Sequence, residues 1–153
     1  MRLSPILNGL LLTLLLAGCQ TSPQAEDALY HDLGEREGIA QITEGLLYQI
    51  VDDPRIAHQF KGVDIAELHY SLTNFICQRA GGPCEYEGEN MVTVHQDMDL
   101  TTADFNALVE DLIRAMEKQD VPVGTQNALL ARLAPLHGMI VERREEYGLG
   151  DGI

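Results

Sequence analysis

Apolar side chains recur every three or four positions in four separate stretches of this chain. That spacing places them on one face of an α-helix, whereas a half-buried strand would show strict alternation. No stretch shows sustained alternation with β-branched residues, so we predict an all-α fold. The apolar positions are, in chain order, Ile39, Ile42, Leu46 and Ile50; Ile65, Leu68, Leu72, Phe75 and Ile76; Phe105, Leu108, Val109, Leu112, Ile113 and Met116; and Leu129, Leu130, Leu133, Leu136 and Ile140.

Capping residues and prolines predict where these helices begin and end. Asp64 stands where an N-cap carboxylate would serve the second helix, and Thr101 with Asp104 forms a weak capping box before the third. The first helix should end before Pro54, because the residue that precedes a proline is pushed out of the helical region. Pro135 lies inside the fourth helix and should bend it there.

A connection of about eighteen residues, 83–100, separates the second and third predicted helices. It contains a single candidate helical turn, around residues 90–96. A connection of this length with little regular structure is usually functional in a compact domain. Residues that carry chemistry are therefore expected in this segment.

His95 lies in this connection, in an apolar setting. Met91 and Val94 precede it by four and one positions, and Met98 follows it by three. A neutral imidazole among apolar side chains suits ligation of haem iron. Taken alone, the same pattern also fits a histidine that is merely part of the core or the surface.

The first nineteen residues have the composition of an export signal. Arg2 is followed by an apolar run that continues through residues 10–16, which is too short to span a bilayer. The sequence Leu16-Ala17-Gly18-Cys19 resembles the lipobox of bacterial lipoproteins. The alternative is an ordinary secretory signal that happens to contain a cysteine.

The lipobox resemblance implies that residues 1–18 are removed and that Cys19 is acylated. The polar segment 19–27, which contains a proline and no periodicity, would then be a tether between the lipid and the domain. The expected location is the bacterial cell envelope, attached to the membrane through the lipid anchor. Gln20 after the cysteine favours the outer membrane if the envelope is Gram-negative.

The charge of the chain excludes one class of partner. It has 24 acidic and 10 basic residues and a net charge of −14, which becomes −15 when Arg2 is removed with the leader. A protein that binds phosphate backbones would carry clustered lysines and arginines, so we expect no nucleic-acid partner. The 153 residues predict one domain.

Cys77 and Cys84 are the two cysteines that remain if Cys19 carries a lipid. An even number of cysteines in an exported protein favours a disulfide. The turn between them, residues 79–83, could bring their Cα atoms within the required distance of about 4.4–6.8 Å. Two free thiols are the alternative, and a metal site is weakly supported because no second cysteine pair is present.

An ordered series of short motifs resembles the group I truncated haemoglobins, which are shortened globins. The resemblance runs from Leu29 to about Val141 and covers most of the mature chain. The motif that ends in His95 is the most specific. The series is Leu29-Tyr30-x-x-Leu33-Gly34, Asp53-Pro54-Arg55-Ile56 leading to Phe60, Ala80-Gly81-Gly82-Pro83-x-x-Tyr86-x-Gly88-x-x-Met91-x-x-Val94-His95, Leu100-Thr101-x-x-x-Phe105, Val121-Pro122 and Leu133-Ala134-Pro135-Leu136.

This resemblance implies a two-over-two helical sandwich over residues 28–147, followed by a C-terminal tail, 148–153. It also implies a non-covalently held b-type haem with His95 as the ligand of its iron. Among the cofactor-binding residues, Phe60 would pack on the haem at the corner before the distal helix. Tyr86 and Met91 match positions on the proximal side and the haem edge, although each could also be core filler or a loop anchor.

The side of the haem that faces the gas departs from the family pattern. Family members commonly place a tyrosine on the first long helix and a glutamine on the distal helix. The matching positions here are Leu47 for the tyrosine and Leu68 and Leu72 for the polar distal residues. We therefore expect an apolar distal pocket of Leu47, Leu68, Leu72 and Ile76, without a hydrogen-bond donor. A one-residue slip of the helix would instead turn Tyr48 inward.

Three functions are compatible with these residues. The first is a lipid-anchored globin that binds a diatomic gas, O₂, NO or CO, reversibly at ferrous iron. The second is an enzyme that converts NO and O₂ to nitrate, for which the chain would need an unidentified electron donor. The third is a haemless globin-like interaction lipoprotein. We favour the first, and therefore a binding protein over an enzyme.

Overall fold

The computed structural model describes residues 26–141, and this part of the chain is entirely helical, with no strand. The all-α prediction is confirmed. The predictions for the leader, for Cys19, for most of the tether and for the tail 148–153 lie outside the described residues. The helices are α1 Ala28–Asp32, α2 Glu35–Asp52, α3 Ile65–Arg79, α4 Met91–Val94, α5 Thr102–Lys118, α6 Val123–Leu133 and α7 Leu136–Ile140, with a 3₁₀ turn at Ala57–Phe60.

The predicted helix caps form as hydrogen bonds. The Asp64 side chain accepts hydrogen bonds from the backbone N–H groups of Ala66 and Glu67 at the start of α3. Thr101 and Asp104 form a reciprocal capping box at the start of α5. These bonds satisfy backbone donors that have no partner inside the helix, which is why short polar residues mark helix starts in a sequence.

Two features of the helices differ from the prediction. The fourth predicted helix is interrupted at Pro135 and not merely bent, because α6 ends at Leu133 and α7 begins at Leu136. Proline supplies no backbone N–H and its ring crowds the preceding turn. The five-residue helix α1 was not predicted from periodicity, since it is too short to repeat the apolar spacing.

The long helix α2 packs against both α3 and α5, and most of the buried apolar side chains lie between these three helices. α1 and α3 also pack against α6, and the short helix α4 packs against α7. The core formed in this way fixes the frame on which the 3₁₀ turn and the connection between α3 and α5 are held. Its most deeply buried large apolar side chains are Ile39, Ile42, Ile50, Ile56, Ile76, Met116 and Leu129.

A partly buried ionic network fixes the corner between α2 and the 3₁₀ turn. Arg55 donates to Asp53 at 2.6 Å and to Glu110 at 2.7 Å, and Arg114 lies 3.7 Å from Asp53. Hydrogen bonds from Arg55 hold the pKa of Asp53 below its ordinary value. Asp111 is fully buried and accepts a hydrogen bond from Arg114, and burial raises its pKa. This network ties α5 to the chain that leads into Phe60.

Replacing Thr101 by valine tests the capping box. The hydroxyl of Thr101 accepts from the Asp104 N–H at 3.2 Å and donates to its carboxylate at 2.7 Å. We expect Thr101→Val to reduce the free energy of unfolding by about 1 kcal/mol at pH 7, measured by urea denaturation.

The same variant should show a defined pH dependence. Hydrogen bonds from Thr101 lower the pKa of Asp104 in the folded state. The stabilisation by the ionised carboxylate is therefore complete above its unfolded pKa and is lost as the pH falls through its folded pKa. The difference between wild type and Thr101→Val should shrink on acidification, and a difference that grew would contradict this assignment.

Within residues 26–141, no helix combines the length and the apolar character that are needed to cross a lipid bilayer.

Candidate functional site

A cavity of about 80 Å³ lies between the 3₁₀ turn, the segment that follows α4, and helices α5 and α7. Its lining is mostly apolar, with two aromatic rings, one imidazole, one amide and one carboxylate. The lining residues are Ile56, Gln59, Phe60, His95, Met98, Leu100, Asp104, Phe105, Leu108 and Ile140.

His95 lines this cavity at the C-terminal end of α4, and its side chain is half-buried. Its Nδ1 donates a hydrogen bond to the carbonyl oxygen of Met91 at 2.7 Å. Because a carbonyl can only accept, this bond places the proton on Nδ1 and leaves the lone pair on Nε2. Within the described residues Nε2 has no hydrogen-bond partner, and a neutral imidazole in this tautomer is ready to bind a metal ion.

The position of His95 depends on a cap at the start of α4. The Asn90 side chain accepts hydrogen bonds from the N–H groups of Val92 and Thr93, both at 3.1 Å, and donates to the Thr93 hydroxyl at 2.9 Å. A helix of four residues has little stability of its own, so a strong N-cap is needed to hold it. The predicted helical turn around residues 90–96 thus corresponds to Met91–Val94.

Phe60 and His95 are the two predicted site residues that the structure brings together in this cavity. Sequence reasoning named Met98 only as a neighbour of His95, and it missed the other lining residues. Phe105, Leu108 and Ile140 were visible as apolar positions of helices, but nothing in the periodicity showed which of those positions faces a cavity and which faces the core. Apart from its position next to Phe60, nothing in the sequence marked Gln59 as a residue of the cavity.

The predicted distal residues lie on α2 and α3 and are not part of the cavity lining. Leu47 and Ile76 are buried in the core, and Leu68 and Leu72 are half-buried against it. Tyr48 is 66% exposed, so the alternative that turns Tyr48 inward does not agree with the structure. Leu47 is the inward-facing residue at this point of α2.

Tyr86 packs against α3 and is also absent from the cavity lining. Its ring meets Phe75 edge-to-face with 5.2 Å between the centroids, and its hydroxyl donates to the carbonyl oxygen of Glu89 at 3.1 Å. Burial raises the pKa of the Tyr86 hydroxyl. Gly88 leaves room for this arrangement, because a Cβ there would lie 2.3 Å from the tyrosine oxygen. Met91 is half-buried and contributes its carbonyl to His95.

Cys77 and Cys84 form a disulfide between α3 and the connection, with 5.8 Å between their Cα atoms. Cys77 is fully buried. A side chain at Gly82 would collide with the Cys77 sulfur, which it would approach to 2.7 Å. Among residues 26–141, no group of three or more His, Cys, Asp or Glu side chains is arranged to hold a metal ion.

The fold and the site define a haem protein of the globin class. The residues fit a haem, because the tautomer of His95 suits iron and the apolar lining with two phenylalanine rings suits a porphyrin. The family described as bacterial-like globin matches residues 28–142. The chain belongs to this family, whose cofactor is haem with its iron.

Curated relatives narrow this class to the group 1 truncated haemoglobins. The chain is 30% identical over 115 residues to the group 1 truncated haemoglobin GlbN of Nostoc sp. (strain MUN 8820), covering 75% of this chain and 98% of the relative. It is 28% identical over 93 residues to that of Tetrahymena pyriformis, covering 61% of this chain and 77% of the relative.

Solved structures show the same fold. The truncated haemoglobin of Tetrahymena pyriformis in its Fe(III) form has a TM-score of 0.72 at 24% identity, with 74% of this chain and 97% of that chain covered. The 2/2 haemoglobin of Synechococcus sp. PCC 7002, in the cyanomet state with covalently attached haem, has a TM-score of 0.71 at 21% identity, with 75% and 98% covered. The predicted two-over-two sandwich is confirmed.

Proposed function

We propose that this chain is a lipid-anchored truncated globin that binds O₂, NO or CO reversibly, with His95 as the protein ligand of the haem iron. The observation that carries this proposal is the hydrogen bond from His95 Nδ1 to the Met91 carbonyl, which leaves the lone pair of Nε2 available to bind iron beside an apolar cavity. Haem, when bound, would supply a ferrous iron that can bind a diatomic gas.

The other cavity residues would hold the porphyrin and exclude water. Phe60 and Phe105 lie on the 3₁₀ turn and on α5, so two aromatic rings reach the site from different elements. Burying the apolar faces of a porphyrin against such side chains favours binding, because it removes apolar surface from water. Met98 adds a flexible side chain that can fill gaps around a flat ring.

The distal pocket, where the gas would bind, would be apolar and would contain no hydrogen-bond donor. Its residues would be Leu47, Leu68, Leu72 and Ile76. The solved Tetrahymena pyriformis variants replace one tyrosine and two glutamines, which follow that tyrosine by 21 and 25 positions. Leu68 and Leu72 follow Leu47 by the same 21 and 25 positions. This agreement in spacing supports the proposal that this chain has leucines at the three positions where that relative has a tyrosine and two glutamines.

The leader and Cys19 would place this globin at the bacterial envelope. Three features support an anchor: a charged start, a short apolar run and the sequence Leu16-Ala17-Gly18-Cys19. Residues 19–27 would give the domain a short tether from the membrane surface. An electron donor that keeps the iron ferrous would then have to reach the domain at that surface.

One expression experiment tests the haem and the anchor together. The full chain and its Cys19→Ser variant are produced in a Gram-negative host supplied with haem, and the Soret absorbance of the reduced CO form is measured in the membrane and soluble fractions. We expect the wild-type signal in the membrane fraction, released by detergent, and the Cys19→Ser signal in the soluble fraction.

Three results would contradict the proposal in different ways. Purified protein without a Soret band would favour a haemless interaction lipoprotein. A Soret signal that is equally membrane-bound in wild type and Cys19→Ser would retain the globin and remove the lipid anchor. Sustained conversion of NO to nitrate with a supplied electron donor would move the assignment from gas binding to an enzyme.

A further inference from the structure

We infer that the Cys77–Cys84 disulfide and Tyr86 are positioning groups for His95. Together they form a strut, defined here as residues 77, 84 and 86 with their contacts, that ties α3 to the connection carrying His95. The inference rests on the proposed function, since it concerns how firmly this chain presents the iron ligand.

The segment that the strut holds has little other support. No residue from 83 to 89 makes a backbone–backbone hydrogen bond within the described part of the chain. The last such bond before this segment joins the Gly82 N–H to the Cys77 carbonyl, and the next joins the Val94 N–H to the Asn90 carbonyl. The position of the segment must therefore be set by side chains.

The disulfide is the first of these attachments. Cys77 is fully buried on α3, one residue after Ile76, and the bridge closes across a separation of seven residues. Because α3 is packed against α2, the sulfur of Cys77 is a fixed point. A covalent bond to it confines the start of the connection to a small volume beside the last turn of α3.

Tyr86 is the second attachment, two residues further on. Its ring contacts Phe75, which is buried on α3. The guanidinium of Arg79 also lies over the Phe75 ring, 5.1 Å from its centroid. An edge-to-face aromatic pair is directional, so it fixes the orientation of the tyrosine as well as its distance. The Tyr86 hydroxyl then reaches forward to the Glu89 carbonyl at 3.1 Å.

That last hydrogen bond connects the strut to the iron ligand. Glu89 immediately precedes Asn90, which caps α4, and the Met91 carbonyl accepts the hydrogen bond from His95 Nδ1. A shift of Glu89 would displace the cap, and a displaced cap would turn the carbonyl that orients the imidazole. Groups that orient a metal-binding histidine typically change metal affinity by about 10–100-fold when they are removed.

The test compares variants of the strut with a matched substitution elsewhere. Tyr86→Leu and the double variant Cys77→Ala/Cys84→Ala are each expected to release haem to an excess of apomyoglobin about tenfold faster than wild type. They should also shift the iron–histidine stretching band in the Raman spectrum of the ferrous form. Tyr48→Leu, the same substitution at an exposed tyrosine of α2, should leave both unchanged.

Three further measurements separate positioning from a general loss of stability. Tyr86→Phe keeps the ring contact and removes only the hydroxyl, so it should fold normally and still shift the iron–histidine band. Reduction of wild type with a phosphine should reproduce the double-variant behaviour and have no effect on the double variant. Amide exchange at Val94 in the haem-free chain should accelerate in every strut variant, because its bond to Asn90 depends on the same cap.

The outcomes distinguish the strut from the proposed function. Suppose that wild type binds haem, and that the strut variants have the same haem-release rate and the same iron–histidine stretching band. The inference about the strut is then wrong, and the globin assignment stands. If wild type binds no haem, the proposed function fails, and Val94 exchange alone decides whether the strut holds α4. Unchanged exchange would then overturn the inference.

Discussion

Replacing His95 by glycine should remove the protein ligand from the haem iron and weaken haem binding by more than about 100-fold, since the loss of a direct ligand exceeds the loss of an outer-shell partner. Added imidazole should restore much of the wild-type ferrous spectrum, because the substitution leaves a space of the same shape beside the Met91 carbonyl. Absorbance and Raman spectra of the ferric, ferrous and CO forms measure both effects.

The control for this experiment is His58→Gly. His58 lies in the 3₁₀ turn, next to the cavity residues Gln59 and Phe60, and its side chain is exposed. The His58→Gly variant should bind haem and give the wild-type absorbance spectrum. A His95→Gly protein that kept the wild-type axial coordination without imidazole would show that another residue holds the iron.

Replacing Leu68 by glutamine should slow the release of O₂ by about tenfold to a hundredfold. O₂ becomes polarised in a haem pocket, and a hydrogen bond to a charged group contributes about 1.5–3 kcal/mol. Leu68 is half-buried on α3 and can accept a polar side chain more easily than the buried Leu47. Stopped-flow measurement of O₂ and CO release from the ferrous protein gives the ratio directly, and CO release should change much less.

Leu68→Met is the matched control for this substitution. It keeps a side chain of similar volume and adds no donor, so its O₂ release should remain fast. Equal O₂ release rates for Leu68→Gln and Leu68→Met would show that this position does not face the gas. Wild-type release as slow as that of relatives with polar distal residues would show that some other donor reaches the pocket.

The sequence was sufficient to predict the features that depend on local chemistry. Asp64 and the pair Thr101 and Asp104 mark helix starts through hydrogen bonds to backbone only two or three residues away, so the pattern contains the whole interaction. The apolar spacing likewise predicted α2, α3 and α5. His95 could be singled out because Met91 and Met98 surround it in the sequence itself.

Features that depend on how distant segments pack against each other could not be predicted from the sequence pattern. Gln59, Phe105 and Ile140 meet in one cavity although they lie on different elements, and periodicity does not reveal which elements adjoin. The family resemblance matched Tyr86 to the proximal side of the haem, with core filler or a loop anchor as the alternative, and its ring packs against Phe75 on α3. The separation between α6 and α7 follows from the local geometry at Pro135, where the sequence pattern predicted only a bend.

The ionic corner beside Phe60 gives the fold an internal compensation against acid. Asp53 has a lowered pKa in the folded state, so its stabilising contribution declines as the pH falls through that value. Asp111 has a raised pKa, so the unfavourable burial of its charge is relieved when it takes up a proton. Arg114 lies within ion-pair distance of both carboxylates, and their opposite responses partly offset each other. On acidification, the Asp53 contact that helps to join the turn carrying Phe60 to α5 therefore weakens, while the free-energy cost of burying the Asp111 charge declines.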